Sequence, residues 1–258
     1  MTAMQTFVSF YTIIRKDVIR IFRIWPQTFL PPIVTSSLYF LIFGAFLGSR
    51  IGEVHGVSYI AFVIPGLVML SVITNAYSNV ATVVFQSKFF VRNIDEILVS
   101  PTPPWIIVAA FATTGVVRGV LTGVLVLLTS LFFSDLAIAN IGIVIIFLVL
   151  TSLVFALAGL VNGVYAKGFD SITIIPTFVL TPLVYLGGVF YSVSTLPGFW
   201  QTFSLFNPIF YIINGFRHGF LGFSDVSLWT SLGVLLGFAA VLAAINWYII
   251  KIGLGLRQ

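Results

Sequence analysis

The hydrophobic positions of this chain fall into six long runs, near residues 29 to 49, 58 to 83, 106 to 133, 139 to 165, 172 to 191 and 228 to 250. Each is long enough, at roughly twenty residues as a helix, to cross about 30 Å of hydrocarbon. The runs lack strict alternation, which argues against a barrel, whose strands would show about ten residues of inward-polar, outward-apolar pattern. They predict an all-α integral membrane fold with six transmembrane helices.

Two further stretches depart from this pattern. Placed on a helix, Phe7, Phe10, Tyr11, Ile14, Val18 and Ile21 share one face, while Lys16, Arg20 and Arg23 share the opposite one. Residues 7–25 therefore read as an N-terminal amphipathic helix lying on the membrane interface, or as a plain basic flank that fixes topology; contact with anionic membrane lipids fits both. Pro26 is expected to end this helix, and Pro31 and Pro32 to open the first span. The basic cluster follows the apolar residues and no small-residue cleavage site comes after it, so a signal peptide is not expected. The second stretch, 195–223, is apolar enough to enter the membrane but is interrupted by Pro197, Asn207, Pro208, Arg217 and several glycines. A re-entrant helical hairpin before the last span, on the outer side and broken at Asn207-Pro208, is predicted there, bordering a path or capping the interface.

Composition sharpens the class. With 59% hydrophobic and 7% charged residues in 258, polar side chains are too few to clothe a soluble globule. A net charge of +5 would suggest nucleic acid in a soluble protein, but here the basic residues flank apolar spans and set orientation, so no nucleic acid is expected as a partner. With a cytoplasmic N-terminus, that side receives Arg15, Lys16, Arg20, Arg23, Lys88, Arg92, Lys167, Lys251 and Arg257, and the outer side only Arg50 and Arg217. This bias predicts that both the N- and C-termini are cytoplasmic. The five tryptophans fall near predicted helix ends, as interfacial rings should.

The chemistry is sparse. Cysteine is absent, and the two histidines, His55 and His218, lie far apart, which leaves no metal site to build. Phosphate-binding, zinc-protease and serine-hydrolase motifs are missing as well. No catalytic, cofactor-binding or metal site is expected in this chain, which reads as one membrane domain, 1–258, without internal repeats.

Small residues recur four apart at Gly44 and Gly48, at Gly115, Gly119 and Gly123, and at Gly159 and Gly163. Such spacing lets helix backbones approach closely in lipid, within one subunit or, for the triple repeat, between subunits. Arg118 sits inside the triple repeat, where an arginine costs several kcal/mol unless paired or hydrated. It snorkels, starts a helix later than hydropathy suggests, or faces a translocation path.

None of the seven acidic residues lies deep in a predicted span, which counts against an ion-gradient-driven carrier or channel and favours an external motor. An intramembrane enzyme would need paired acids or a Ser-His constellation at depth, and neither is evident. The stretch KFFVRNIDEILVSPTPPW, from Lys88 to Trp105, is the candidate handle for a motor. Read as a helix over 88–100, it puts Phe89, Arg92 and Glu96 on one stripe, and Pro101 stops it. It is a docking element or a solvated loop that anchors topology.

These residues resemble those of the ABC-2 type permeases, the membrane subunits of ATP-driven bacterial exporters. The resemblance runs through PPIVTSSLYFLIFGAFLGSRIG at 31 to 52, YIAFVIPGLVMLSVITNAYSNV at 59 to 80 and PTFVLTPLVYLGGVFYS at 176 to 192. It implies that 87–104 forms a cytoplasmic coupling helix, with Phe89, Arg92, Asp95, Glu96, Leu98, Ser100 and Pro101 docking into a separately encoded ATPase subunit that holds ATP and Mg. It implies likewise an outer gate at Asn207, Pro208, Tyr211 and Arg217, a homodimer of permeases, a bacterial inner-membrane location and export. The cargo is left open.

Overall fold

The computed structural model describes residues 3–91, 94–135 and 138–255. Helix α1 (Ala3–Arg23) turns at Ile24, whose φ of −105° and ψ of 34° leave the helical region, and α2 (Trp25–Phe40) begins at once with Pro26 in its first turn. The break falls just ahead of Pro26, where a residue lacking an N–H is tolerated. Pro31 and Pro32, expected at the start of the span, lie inside α2 instead. They cannot donate to the carbonyls of Gln27 and Thr28, and all four residues line a polar cavity, a setting in which irregular backbone survives at membrane depth. The helix continues as a π-helical stretch, Leu41–Leu47, and a final turn, Gly48–Ile51.

A short hairpin pairs β1 (Glu53–Val54) with β2 (Val57–Ser58). After it come α3 (Tyr59–Phe89), α4 (Ile94–Val99), α5 (Pro104–Ser130) and α6 (Ile141–Tyr165). Helix α7 (Phe169–Leu186) contains a π-helical segment at Pro176–Leu180, and α8 (Gly198–Leu205), α9 (Pro208–Leu221) and α10 (Leu228–Ile252) complete the chain. Among the described residues, α2, α3, α5, α6, α7 and α10 are long and apolar enough to cross a membrane. All six spans expected from hydropathy are therefore present as helices, within a few residues of the expected ends.

Helix α3 is the axis of the bundle and is the most buried span, with α5 and α6 packed along it. The small residues make this possible. A Cβ at Gly115 would meet Ala156 Cβ at 2.5 Å and Val80 Cγ2 at 2.6 Å, and one at Gly123 would meet Leu148 Cδ1 at 2.7 Å and Val72 Cγ2 at 2.8 Å. Gly159 rests on the carbonyl of Tyr77, and a Cβ at Gly163 would stand 2.8 Å from that of Ala81. The Gly115 and Gly159 series, two of the three, are thus used for close approach inside one subunit.

One end of the bundle gathers Ile13 of α1, Ile94, Ile97 and Leu98 of α4, and Ile249 and Ile250 of α10 in a single apolar cluster. Helix α1, the last turn of α10 and α4 therefore share that end. At the other end the ring of His55, beside β1, packs 5.3 Å from that of Phe223, just beyond α9.

Candidate functional site

The expected helix over 88–100 is two pieces. Phe89 closes α3, half-buried, its ring 4.8 Å from that of Phe85 and beneath Lys88 Nζ at 4.9 Å. The chain then turns at Phe90, and Arg92 lies outside the described residues. Helix α4 opens with Asp95 and Glu96 in its first turn, where negative charge suits the exposed N–H groups. Both acids are exposed, while Ile94 is buried and Leu98 is half-buried against it. The Ser100 hydroxyl donates to the Ile97 carbonyl at 2.6 Å, and Thr102 Oγ1 lies 2.9 Å from Ser100 Oγ and 3.3 Å from Ser9 Oγ of α1. Pro101 is exposed at the bend. A face of charge and proline therefore points away from the bundle. Its apolar centre is Val99, 86% exposed, which reading 88–100 as one continuous helix did not single out.

The middle of the molecule holds a charged network. Asp17, only 4% exposed, accepts from Arg20 Nε at 2.7 Å on one oxygen and from Asn79 Nδ2 at 3.3 Å on the other. The side-chain oxygen of Asn79, on the central helix, accepts from Arg20 Nη2 at 2.8 Å and from Arg118 Nη1 at 3.3 Å. Arg118 Nη2 lies 3.5 Å from Asn75 Oδ1, and its buried Nε is unpartnered among the described residues. Helix α5 starts at Pro104, close to where hydropathy places it, so Arg118 is deep in a span and turned towards protein.

Asp17 is not singled out by the sequence pattern. It is not in a span, yet it is buried within the bundle, because α1 packs against α5 and presents Asp17 to Asn79. Arg20, placed on the polar face, turns inward with it. No local pattern marks this: Asp17 sits in a run of bases that reads as a solvated face, and its partner is remote in sequence.

Asn79 stands between two cavities. One, about 620 Å³, lies between α1, α3 and α4 and is lined by Lys16, Asp17, Arg20, Arg23, Gln86 and Glu96 among others. The other, about 350 Å³, lies among α2, α3, α5 and α7, and its wall includes Gln27, Thr35, Thr74, Asn75, Arg118 and Tyr185. The second runs along α2 from Gln27 to Tyr39, roughly 18 Å at 1.5 Å per residue, and Tyr39 and Tyr185 meet hydroxyl to hydroxyl at 3.4 Å.

The stretch 195–223 forms two short helices that meet at Asn207. The Asn207 side chain caps α9 by accepting from Ile209 N at 3.0 Å and ties α9 to α7 by donating to the Leu183 carbonyl at 2.6 Å. Pro208 occupies the first turn of α9, as its missing N–H favours. Tyr211 donates to the Leu205 carbonyl at 2.8 Å, closing the corner between α8 and α9. Arg217 lies farther along α9 and is fully buried. The structure brings Asn207, Pro208 and Tyr211 together at the bend and separates Arg217 from them.

Six apolar spans, four of which line a cavity holding Arg118, define a multi-pass membrane protein. The chain belongs to the ABC-2 type transporter family, whose profile matches residues 8–221. It is 53% identical to the inner membrane transport permease YadH of Escherichia coli (strain K12), over 97% of this chain and 98% of that one. It is also similar to nodulation protein J of Rhizobium leguminosarum bv. trifolii, 30% identical over 77% of this chain and 76% of the relative, and to that of Rhizobium meliloti (strain 1021), 29% identical over 79% and 78%. The chain is thus a multi-pass inner-membrane protein and a membrane permease of an ABC transporter, a family that implies an ATPase partner.

Proposed function

We propose that this chain is the membrane subunit of an ATP-binding cassette exporter, working as a homodimer with two copies of a separately encoded ATPase. ATP and Mg²⁺ are held by that ATPase, and this chain catalyses nothing itself; it supplies path and gate. The observation that carries the reading is α4 and the bend after it, which present Asp95, Glu96, Val99 and Pro101 outward at the end of the bundle that α4 shares with α1 and the last turn of α10. An exposed valine flanked by acids is poorly suited to water alone and well suited to a cleft with a basic rim. Arg92 completes this surface in our reading, together with Phe89, Leu98 and Ser100 as its support. That end is the cytoplasmic one, in keeping with the basic residues of α1 and with Lys88, Lys167 and Lys251.

The remaining roles follow from position. The corner made by Asn207, Pro208 and Tyr211, together with Arg217 farther along α9, forms the outer gate, with α8 and α9 re-entering the membrane from outside. Arg118 borders the path. The polar cavity is walled in part by α2 and α7, two of the least buried spans. Exposing its hydroxyls and amides to lipid would cost free energy, which supports a second permease, or the water of a shared path, against this face. Lipids contact α1 through Phe7 and Tyr11, both exposed.

Gentle purification from native membranes tests the assembly. An ATPase subunit and ATP turnover are expected to accompany the protein and to be lost with Arg92→Glu. A lone chain without ATPase under several mild detergents would overturn the reading. The buried Asp17 is the one observation that favours a gradient-driven carrier; its ion pair with Arg20 at 2.6 Å suits a fixed brace better than a proton relay. Transport in vesicles without nucleotide would reverse that judgement.

A further inference from the structure

The charges of the central network do not balance. Arg20 and Arg118 bring two positive charges, and among the described residues in the network Asp17 brings the single negative one. Its oxygens are taken by Arg20 and Asn79, at 2.7 and 3.3 Å. Arg118 has only its share of the Asn79 oxygen at 3.3 Å, a long contact to Asn75 at 3.5 Å, and a buried Nε with no partner among the described residues. A guanidinium normally satisfies several donors when it is removed from water. One left half-satisfied near the middle of a span is costly unless a counter-charge arrives.

The cavity of about 350 Å³ begins beside this guanidinium. Its volume is within the range of small-ligand sites. Hydroxyls of Thr35, Ser71, Tyr39 and Tyr185 and the amide of Gln27 line it with Arg118, so the wall offers donors around one positive centre, with Leu67, Leu70 and Pro31 supplying apolar surface. We infer that this cavity is a binding site for an anionic oxygen group, phosphate or carboxylate, held by Arg118 with its polar substituents against the hydroxyls. In taking the bound group for part of the cargo, the inference rests on the permease reading; the binding itself does not.

The same chemistry is offered by a lipid headgroup and by a free anion, and the test separates them. The full chain is reconstituted in nanodiscs of phosphatidylcholine and titrated with short-chain phosphatidic acid or with inorganic phosphate, with thermal stabilisation and native mass spectrometry as readouts. Binding of either probe above the phosphatidylcholine background is expected. Competition of phosphate with phosphatidic acid assigns the site to a free anion as well as a headgroup, and binding of phosphatidic acid alone assigns it to a headgroup. Arg118→Gln is expected to weaken binding about tenfold or more, as loss of a charged hydrogen-bonding partner does, and Arg118→Lys to restore part of it. Because Arg118→Gln also loosens Asn79, Ser71→Ala, one turn before Asn75 on the α3 wall, serves as the variant that leaves the charged network intact, with about a threefold loss expected. Absence of binding to the wild-type chain, or undiminished binding by both variants, would overturn the inference. Neither result bears on whether an ATPase co-purifies, so this site and the permease reading fail separately.

Discussion

The guanidinium carbon of Arg217 lies 3.9 Å from the ring centroid of Phe62, and Arg217 Nη2 donates to the Gly188 carbonyl at 2.7 Å. Arg217 is 1% exposed. This charge joins three elements: α9, which carries it; α3, which supplies the ring; and the turn after α7, where Gly188 has a φ of +85°. A bend carrying that positive φ suits glycine, and its carbonyl is thereby aimed at the arginine. The buried Nε of Arg217 is unpartnered among the described residues, and Asp225 lies close enough to act on it electrostatically.

Arg217→Ala is therefore expected to destabilise the protein by about 2 to 4 kcal/mol, combining a desolvated cation–π contact with a charged hydrogen bond. Thermal unfolding in detergent measures this. Arg217→Lys is expected to recover less than half, since a point charge cannot cover the ring and reach the carbonyl in one geometry. A melt unchanged by either substitution would show that Arg217 is not the tie between α9 and α3, and would leave it free to move as a gate.

The link between α1 and the bundle depends on Asn79, which is fully buried and bridges Arg20, Asp17 and Arg118. Asn79→Leu keeps the volume and removes acceptor and donor together, so two guanidinium groups lose a shared oxygen. Hydrogen exchange is expected to rise across α1, while the centre of α6 stays protected. A loss of about 2 kcal/mol in stability accompanies it, the scale of a charged hydrogen bond left unmade. Equal exchange in α1 before and after the substitution would mean that apolar packing at Ile13 and Ile21 holds the helix alone.

Gly159 offers a cleaner packing test. A Cβ there would collide with the carbonyl of Tyr77, and backbone cannot rotate away as a side chain can. Gly159→Ala is expected to separate α3 from α6 and cost about 1 to 3 kcal/mol, the usual penalty of overpacking. Gly168→Ala is the control, since nothing stands near its Cβ and its melt should move little. Equal melts for the two would show that the helices yield without strain.

These relationships differ in how far the sequence discloses them. The six spans are legible because a run of apolar residues long enough for the bilayer has few other uses. The corner at Asn207 is legible because a capping side chain followed by proline both ends one helix and starts the next. The break after Phe89 is not, since the residues on either side keep a plausible helical face and periodicity does not register a turn between them. Pro31 and Pro32 mislead for a related reason: a proline pair reads as a helix start when no neighbour is known, and lies inside α2 beside the cavity that excuses its missing donors. Asp17 is hidden more deeply, because only the packing of α1 against α5 brings it to Asn79 of α3. The glycine repeats foretell close approach but not what approaches.

Docking by α4 yields the sharpest contrast between stability and function. Val99 is almost wholly exposed, so Val99→Asp should change thermal stability by no more than about 0.5 kcal/mol, the scale of an exposed substitution away from special features. If α4 enters a cleft on the ATPase, the new carboxylate would be desolvated there without a partner, beside Asp95 and Glu96 of the same sign. Loss of co-purified ATPase by about tenfold or more is then expected, as for an unpaired buried charge at an interface. Asp135→Asn, in the loop between α5 and α6 and away from α4, should leave assembly intact. Retention of the ATPase by Val99→Asp at wild-type levels would move the contact surface off α4, while a lowered melting temperature would show that Val99 is more engaged within the subunit than its exposure indicates.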